Sequence, residues 1–327
     1  MAKRPGEFEL IAELFAPLAA SYPGALDLKD DAALIETPAG QYLVATTDTL
    51  VSGVHFLPDD PPDSVARKLL RVNLSDLAAK GARPTVYLLA LSMPESIDMT
   101  WLRAFAAGLA ADQKEFGIAL AGGDTTSTPG PLTLTVTALG EIGQGKEIRR
   151  SGARVGDSVF VSGTLGDAAL ALKALKGELG GLGEADRAAL IARYRLPQPR
   201  LGLGQALVGI ATACCDVSDG LIADLGHICA ASAVGAEVAA GHLPLSPAAR
   251  AALGGNPDLI ASIAAGGDDY ELVFTAPPRR AAEVRARADD AGVAVTEIGR
   301  CVAERGVTLL DAERRPISLV AGGWRHF

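Results

Sequence analysis

Apolar positions follow two rhythms along this chain, and each change of rhythm marks an element. Residues 42–47 (YLVATT) are β-branched and apolar enough for a strand, which is expected to stop at the hydroxyl pair and acid Thr46-Thr47-Asp48. A Pro-rich and acid-rich stretch follows at 59–63. Asp63 or Ser64 is then placed to cap a helix running to about Lys80, where Gly81 and Pro84 end it. On that helix Val65, Leu69 and Val72 share one stripe at the 3.6-residue period, and Asp76 continues it. The nearly unbroken apolar run at 85–93 suits a buried strand. Residues 101–115 suit a helix with Leu102, Phe105, Ala106 and Leu109 on one face. Residues 118–126 (IALAGGDTT) read as a short strand that breaks at Gly122-Gly123 and delivers Asp124, and the apolar positions of 132–138 alternate with threonines as in a half-buried strand. At the N-terminus, acids interleaved with apolar residues over 1–15 predict an amphipathic helix rather than a signal peptide.

A new strand, turn and helix pattern begins after Arg149-Arg150-Ser151-Gly152, so domains are expected at 1–150 and 151–327. The turn at 163–167 is a candidate seat for a phosphate at the start of the next helix, and 176–184 (KGELGGLGE) reads as a mobile surface loop. DVSDGL, beginning at Asp216, sets Asp216, Ser218 and Asp219 at the head of a helix whose apolar face is Leu221, Leu225 and Ile228. GGDDYE, beginning at Gly266, precedes a strand at 272–275, and further strands are expected at 293–298 and 307–310. Strands and helices mix in both halves without strict alternation, which predicts a mixed α/β chain of two α+β domains.

Composition narrows the chemistry. The 327 residues are 49% hydrophobic and 21% charged, enough for two ordinary cores, and the net charge of -9 argues against a nucleic-acid groove. No segment holds eighteen consecutive apolar residues, so a cytoplasmic protein is expected, with no membrane partner. Cys214, Cys215, Cys229 and Cys301 lack finger or CxxC spacing and read as buried structural thiols.

Six acids, Asp31, Asp48, Asp76, Asp124, Asp216 and Asp219, stand at similar places relative to the expected elements. Each alone has a plain reading. Asp30-Asp31 is a solvated turn, GGD a tight turn, and Ser218 or Asp219 a helix cap, while His55 is a loop or core histidine. Asp76 on an apolar stripe needs a partner, a metal or a water-filled edge, because uncompensated burial of a carboxylate is costly. If the acids converge, their mutual repulsion calls for cations, and oxygen donors of this kind suit Mg²⁺ with a polyphosphate. Neither GxxxxGK[ST] nor GxGxxG is present, so an ATP site here must use another scaffold.

DDAAL, TTDTLVSGVHF, NLSDLAAKGA, GGDTT, RSGARVGD, DVSDGL and GGDDYEL occur in this order over nearly the whole chain. Together they resemble the thiamine-monophosphate kinase family, within the ATP-binding superfamily that also holds aminoimidazole ribonucleotide synthetase, selenophosphate synthetase and a hydrogenase maturation protein. The resemblance implies a two-domain synthetase-like fold, with the N-terminal domain forming a β-barrel across a homodimer and the C-terminal domain closing over ATP. It implies phosphorylation of thiamine monophosphate to thiamine diphosphate with Mg²⁺ and ATP as co-substrate. It further implies Asp31, Thr46, Thr47, Asp48, Asp76, Asp124, Asp216 and Asp219 as magnesium contacts, and Gly123, Asp124, Arg150 and Ser218 as ATP contacts. Asp216, Asp219 and Arg150 would act in catalysis, and His55, Asp268 and Trp324 would contact the thiamine substrate. Lys29 stands where the family usually has Gly, and Asp268 where it often has Glu. Against the sister enzymes, no Cys precedes Cys214 and the last residue is Phe327. The alternatives are a sister ATP-dependent synthetase and a non-catalytic Mg-nucleotide-binding protein.

Overall fold

The computed structural model describes residues 6–318. Of these, the residues up to Leu77 together with Ala82–Gly145 form one compact unit, and Ala78–Gly81 with the residues from Lys146 onward form another.

The first unit holds four strands, β1 (Gln41–Val51), β2 (Arg83–Met93), β3 (Ala119–Ser127) and β4 (Thr133–Gly143), in the order β1-β4-β2-β3. β2 and β3 are parallel and the other pairs antiparallel. A parallel pair needs a crossover, and helix α2 (Met99–Phe116) supplies it, following the long helix α1 (Pro62–Lys80). The Asp98 carboxylate caps α2 by accepting from the Trp101 N–H at 2.9 Å, and Gly117 ends it at φ 66°. α1 begins at Pro62, two or three residues earlier than its expected caps allow. Asp63 and Ser64 therefore lie inside the first turn, where the Ser64 hydroxyl donates to the Pro61 carbonyl at 2.8 Å. Its far end is as expected, with Gly81 at φ 74° and the Ala82 N–H on the Leu77 carbonyl at 2.9 Å.

Burial of α1 extends well beyond the expected stripe and takes in Lys68, Arg71, Asn73 and Ser75. A buried guanidinium must be matched. Arg71 meets Asp112 of α2 through two bonds, at 2.7 and 3.0 Å, and reaches Glu115 at 2.8 Å.

Two strand expectations change. β1 does not stop at Thr46-Thr47-Asp48, because it pairs with β4 from Gln41 opposite Gly143 to Val51 opposite Thr133. β3 does not break at Gly122-Gly123. A Cβ at Gly123 would stand 1.9 Å from the Leu89 carbonyl oxygen, so the glycine is what lets β3 lie against β2. Ahead of the sheet, three consecutive helical pieces, Glu7–Leu10, Ile11–Phe15 and Ala16–Ala19, bury Leu10, Leu14, Phe15 and Leu18, in line with the amphipathic reading.

The second unit holds a six-stranded sheet of β5 (Ser158–Ser162), β6 (Ala213–Asp216), β7 (Gly235–Ala239), β8 (Leu272–Ala276), β9 (Val295–Val302) and β10 (Gly306–Leu310). Their order is β10-β7-β9-β5-β8-β6, and β10 with β7 is the parallel pair. Side chains alternate across the sheet. Val159, Val161 and Val273 pack with Leu221, Leu225 and Ile228 of helix α4 (Leu221–Ser232), while Phe160 and Phe274 stack on the other face at 5.4 Å. All four cysteines are free and buried in this unit. The stretch expected to be a mobile loop follows helix α3 (Asp167–Leu175), and Leu179 and Leu182 tether it to the core. Both sheets are open within the described residues, ending at β1 and β3 in one unit and at β10 and β6 in the other. Among the described residues no helix is long and apolar enough to cross a membrane.

Candidate active site

In the first unit, strand alternation puts Thr46 and Asp48 on the same face of β1 and Thr47 on the other. The Thr46 hydroxyl donates to Asp76 Oδ2 on α1. Burial, and then the negative charge of Asp76, push the Asp48 carboxyl up to about 6. Three oxygen-bearing side chains thus meet where the sheet faces α1. Thr47 stands apart, donating to the Val136 carbonyl at 3.1 Å and accepting from Thr137. The amide of Asn73, a turn before Asp76, donates to the Leu69 carbonyl at 3.0 Å. Asp31 is exposed in an irregular segment, where its N–H donates to Asp30, and Asp124 is exposed on edge strand β3 beside Gly123.

His55 follows β1 in a tight turn. The Val51 N–H donates to its Nδ1 at 3.0 Å, which leaves the proton of the neutral ring on Nε2, and buried Lys68 donates to its carbonyl at 3.1 Å. The imidazole is therefore oriented by its own backbone rather than loose in a loop.

In the second unit, β6 ends at buried Asp216, and Val217, Ser218, Asp219 and Gly220 turn the chain into α4. Gly220 sits at φ 119°, outside the range of other residues. Neither Ser218 nor Asp219 caps the helix. Asp224, one turn in, accepts from the N–H groups of Asp219 and Gly220, both at 3.0 Å. Burial, and next the charge of Asp219, push the Asp224 carboxyl up to about 7, while the Arg150 guanidinium pulls the other way. The ligand atoms of Asp219, Asp224 and His227 all lie within 4.8 Å of one another. Sequence reading missed Asp224 and His227, although their spacing of three puts both on one face of a helix that opens with DVSDG. Arg150 is exposed, and its carbonyl accepts from the Ser232 hydroxyl at 3.2 Å.

GGDDYE lies against this turn. The Asp268 N–H donates to the Ser218 carbonyl at 2.9 Å and the Tyr270 N–H to the Val217 carbonyl at 2.8 Å. The turn expected to take a phosphate at the head of α3 is already filled, since the buried Asp269 carboxylate accepts from the Gly166 N–H at 2.7 Å. Glu271 is fully buried and is held by Ser162, Arg193 and Arg200 at 2.5 to 2.8 Å. Trp324 lies outside the described residues.

A thiamine-monophosphate kinase from Caulobacter vibrioides is 47% identical over 99% of this chain and 92% of its own length. The chain belongs to the thiamine-monophosphate kinase family. Residues 29–142 match the N-terminal domain of AIR synthase related protein and 154–312 its C-terminal domain, so the mixed α/β fold of two domains is that of this wider group. The thiamine-monophosphate kinase crystal structure from Stenotrophomonas maltophilia superposes with a TM-score of 0.80 at 46% identity, covering 86% of this chain and 89% of that one. AaThiL complexed with AMPPCP and TMP superposes with a TM-score of 0.78 at 33% identity, covering 98% and 97%.

Proposed function

We propose that this protein transfers the terminal phosphoryl group of ATP to thiamine monophosphate, giving ADP and thiamine diphosphate. The observation that carries this reading is full-length similarity to kinases of this name, one of which is described in complex with an ATP analogue and TMP. The residues are suited to the task. Asp48, Asp76 and Thr46 offer only hard oxygen donors, and the repulsion between Asp48 and Asp76 is one that a divalent cation relieves.

Thr46, Asp48 and Asp76, with Asp31 and Asp124, would hold Mg²⁺ in the first unit, and Asp216 and Asp219 in the second, whereas the Thr47 side chain faces away from Thr46 and Asp48. When bound, Mg²⁺ supplies positive charge against the phosphate oxygens. The acceptor is a phosphate whose second pKa is about 6, so its attacking oxygen is already largely ionised and no residue need act as a base. What remains is to align two anions and to stabilise charge on the transferred group. Arg150 takes the second role, and Asp216 and Asp219 would serve the first by holding Mg²⁺, while Gly123, Asp124 and Ser218 contact ATP. His55 and Asp268 contact the thiamine substrate, with Trp324 as an aromatic partner for it. The protein works in the cytoplasm as a homodimer paired through its first unit, where edge strand β1 exposes Tyr42 and Leu43.

The test is ADP release with Mg-ATP and thiamine monophosphate, with thiamine as a parallel substrate and the product identified by mass. Thiamine diphosphate formed one-for-one with ADP is expected, with Asp216→Asn and Asp219→Asn each slowed by about a hundredfold or more. ATP binding with no diphosphate product would overturn the reading.

A further inference from the structure

From Asp268 to Glu271 the chain alternates between anchored and presented side chains. Asp269 and Glu271 are buried, the first on the Gly166 N–H and the second between Arg193 and Arg200. Asp268 and Tyr270, the alternate residues, are half-buried. Both hold the left-handed backbone region, at φ 70° and 50°, which side chains other than glycine enter only at a cost and a bulky one least readily. Three backbone bonds enforce this shape, from Asp268 to Ser218, from Tyr270 to Val217 and from Val217 to Glu271, all at 2.8 to 2.9 Å. The outcome is that the Tyr270 phenol donates to Asp268 Oδ1 at 3.4 Å, so a carboxylate and an aromatic ring are fixed side by side.

A ring face attracts cations, most usefully permanent ones that cannot shed their charge, and an adjoining carboxylate adds to that attraction. Glycine would satisfy the backbone at position 270 without strain. The tyrosine there brings a ring to Asp268 that glycine would not.

We propose that Tyr270 and Asp268 form a seat for a planar cationic ring, and that Tyr270 is a specificity-determining residue for the thiazolium of thiamine monophosphate. This rests on the kinase reading above and names a substrate contact beyond it.

The experiment compares the wild type with Tyr270→Leu and Tyr270→Phe. It uses two ligands, thiamine monophosphate and its neutral isostere in which carbon replaces the thiazolium nitrogen. KM is read from ADP release, and affinity from equilibrium binding in the presence of a non-hydrolysable ATP analogue. Tyr270→Leu is expected to weaken thiamine monophosphate about tenfold, with KM for ATP within about twofold of wild type and the neutral isostere little changed, while Tyr270→Phe stays near wild type. Equal weakening of both ligands, or of neither, would overturn the proposal. If Tyr270→Leu does not fold, Tyr270→Gly, which takes this backbone without strain, replaces it, and the wild type gives a second check. It should prefer the cation over the isostere by about tenfold or more, and equal affinity sinks the idea. A wild type that binds ATP and makes no thiamine diphosphate overturns the kinase reading itself, and the proposal falls with it. Normal turnover with no charge preference overturns this proposal only.

Discussion

The hydroxyl of Thr46 donates to the carboxylate of Asp76, a contact that joins strand β1 to helix α1 across thirty positions of sequence. Asp48, two residues along the same strand face, is thereby set beside a second carboxylate, and its own proton is held up to about 6.

This gives a pH signature. The folded pKa of Asp48 is raised, so between about 4 and 6 the folded chain keeps a proton that the unfolded chain has released, and stability falls as pH rises through that window. In chelator-treated protein, urea unfolding from pH 4 to 7 should show the wild type losing about 1–2 kcal/mol relative to Asp48→Asn, after discounting for partial solvent screening. Parallel profiles for the two proteins would refute the coupling.

Glu271 is the counterion of two arginines and lies wholly out of solvent. Its removal in Glu271→Ala strands Arg200 and leaves Arg193 only Asp167, at 3.9 Å, and a loss of about 3–5 kcal/mol in denaturant unfolding is expected. Because the Glu271 side chain anchors the segment next to Tyr270, turnover should fall even at temperatures where the variant stays folded. A variant with wild-type stability would show that the arginines find water instead.

Arg71 and Asp112 are the buried members of the corresponding cluster in the first unit, where half-buried Arg67 also holds Asp112 at 2.7 Å and both arginines reach Glu115. Asp112→Ala alone is expected to cost about 3–5 kcal/mol, whereas Arg71→Met with Asp112→Leu should recover most of it, since apolar groups of similar volume replace buried ion pairs at little net cost. A double-mutant cycle by chemical denaturation checks this. Additive losses would mean that the pair is not the reason for the burial.

Gly123 is needed for contact between strands rather than for a turn. Gly123→Ala should push β3 from β2, with about 1–3 kcal/mol lost in thermal unfolding and weaker ATP binding by titration, because Asp124 on the same strand shifts with it. An unchanged Tm and affinity would contradict the close approach.

Much of the architecture was legible in short-range rhythm. The alternation around Val136 and the stripe through Val65 and Leu69 appear as β4 and α1. Strand ends were less readable, since residues 48–51 stay in β1 through pairing with distant β4. The phosphate seat expected before α3 was misread for a related reason. Its occupant, Asp269, lies about a hundred residues away, and no local pattern announces it. Thr46, Asp48, Asp76 and the DVSDG turn stood out in sequence as oxygen side chains at expected element ends, although Thr46 and Asp48 lie inside β1. Asp224 and His227 were passed over because an acid and a histidine inside a helix look like solvated surface.

The four thiols carry a practical consequence. Each is buried and its pKa is raised by that burial, to about 11 for Cys229 and about 12 for Cys301 and further for the other two. All four belong to the second unit. An alkylating reagent should therefore leave the native protein unmodified and mark chains only as that unit opens. Alkylation would thus time the opening of one half of the molecule from within, and a cysteine introduced anywhere on the surface could be labelled without first removing the natural ones.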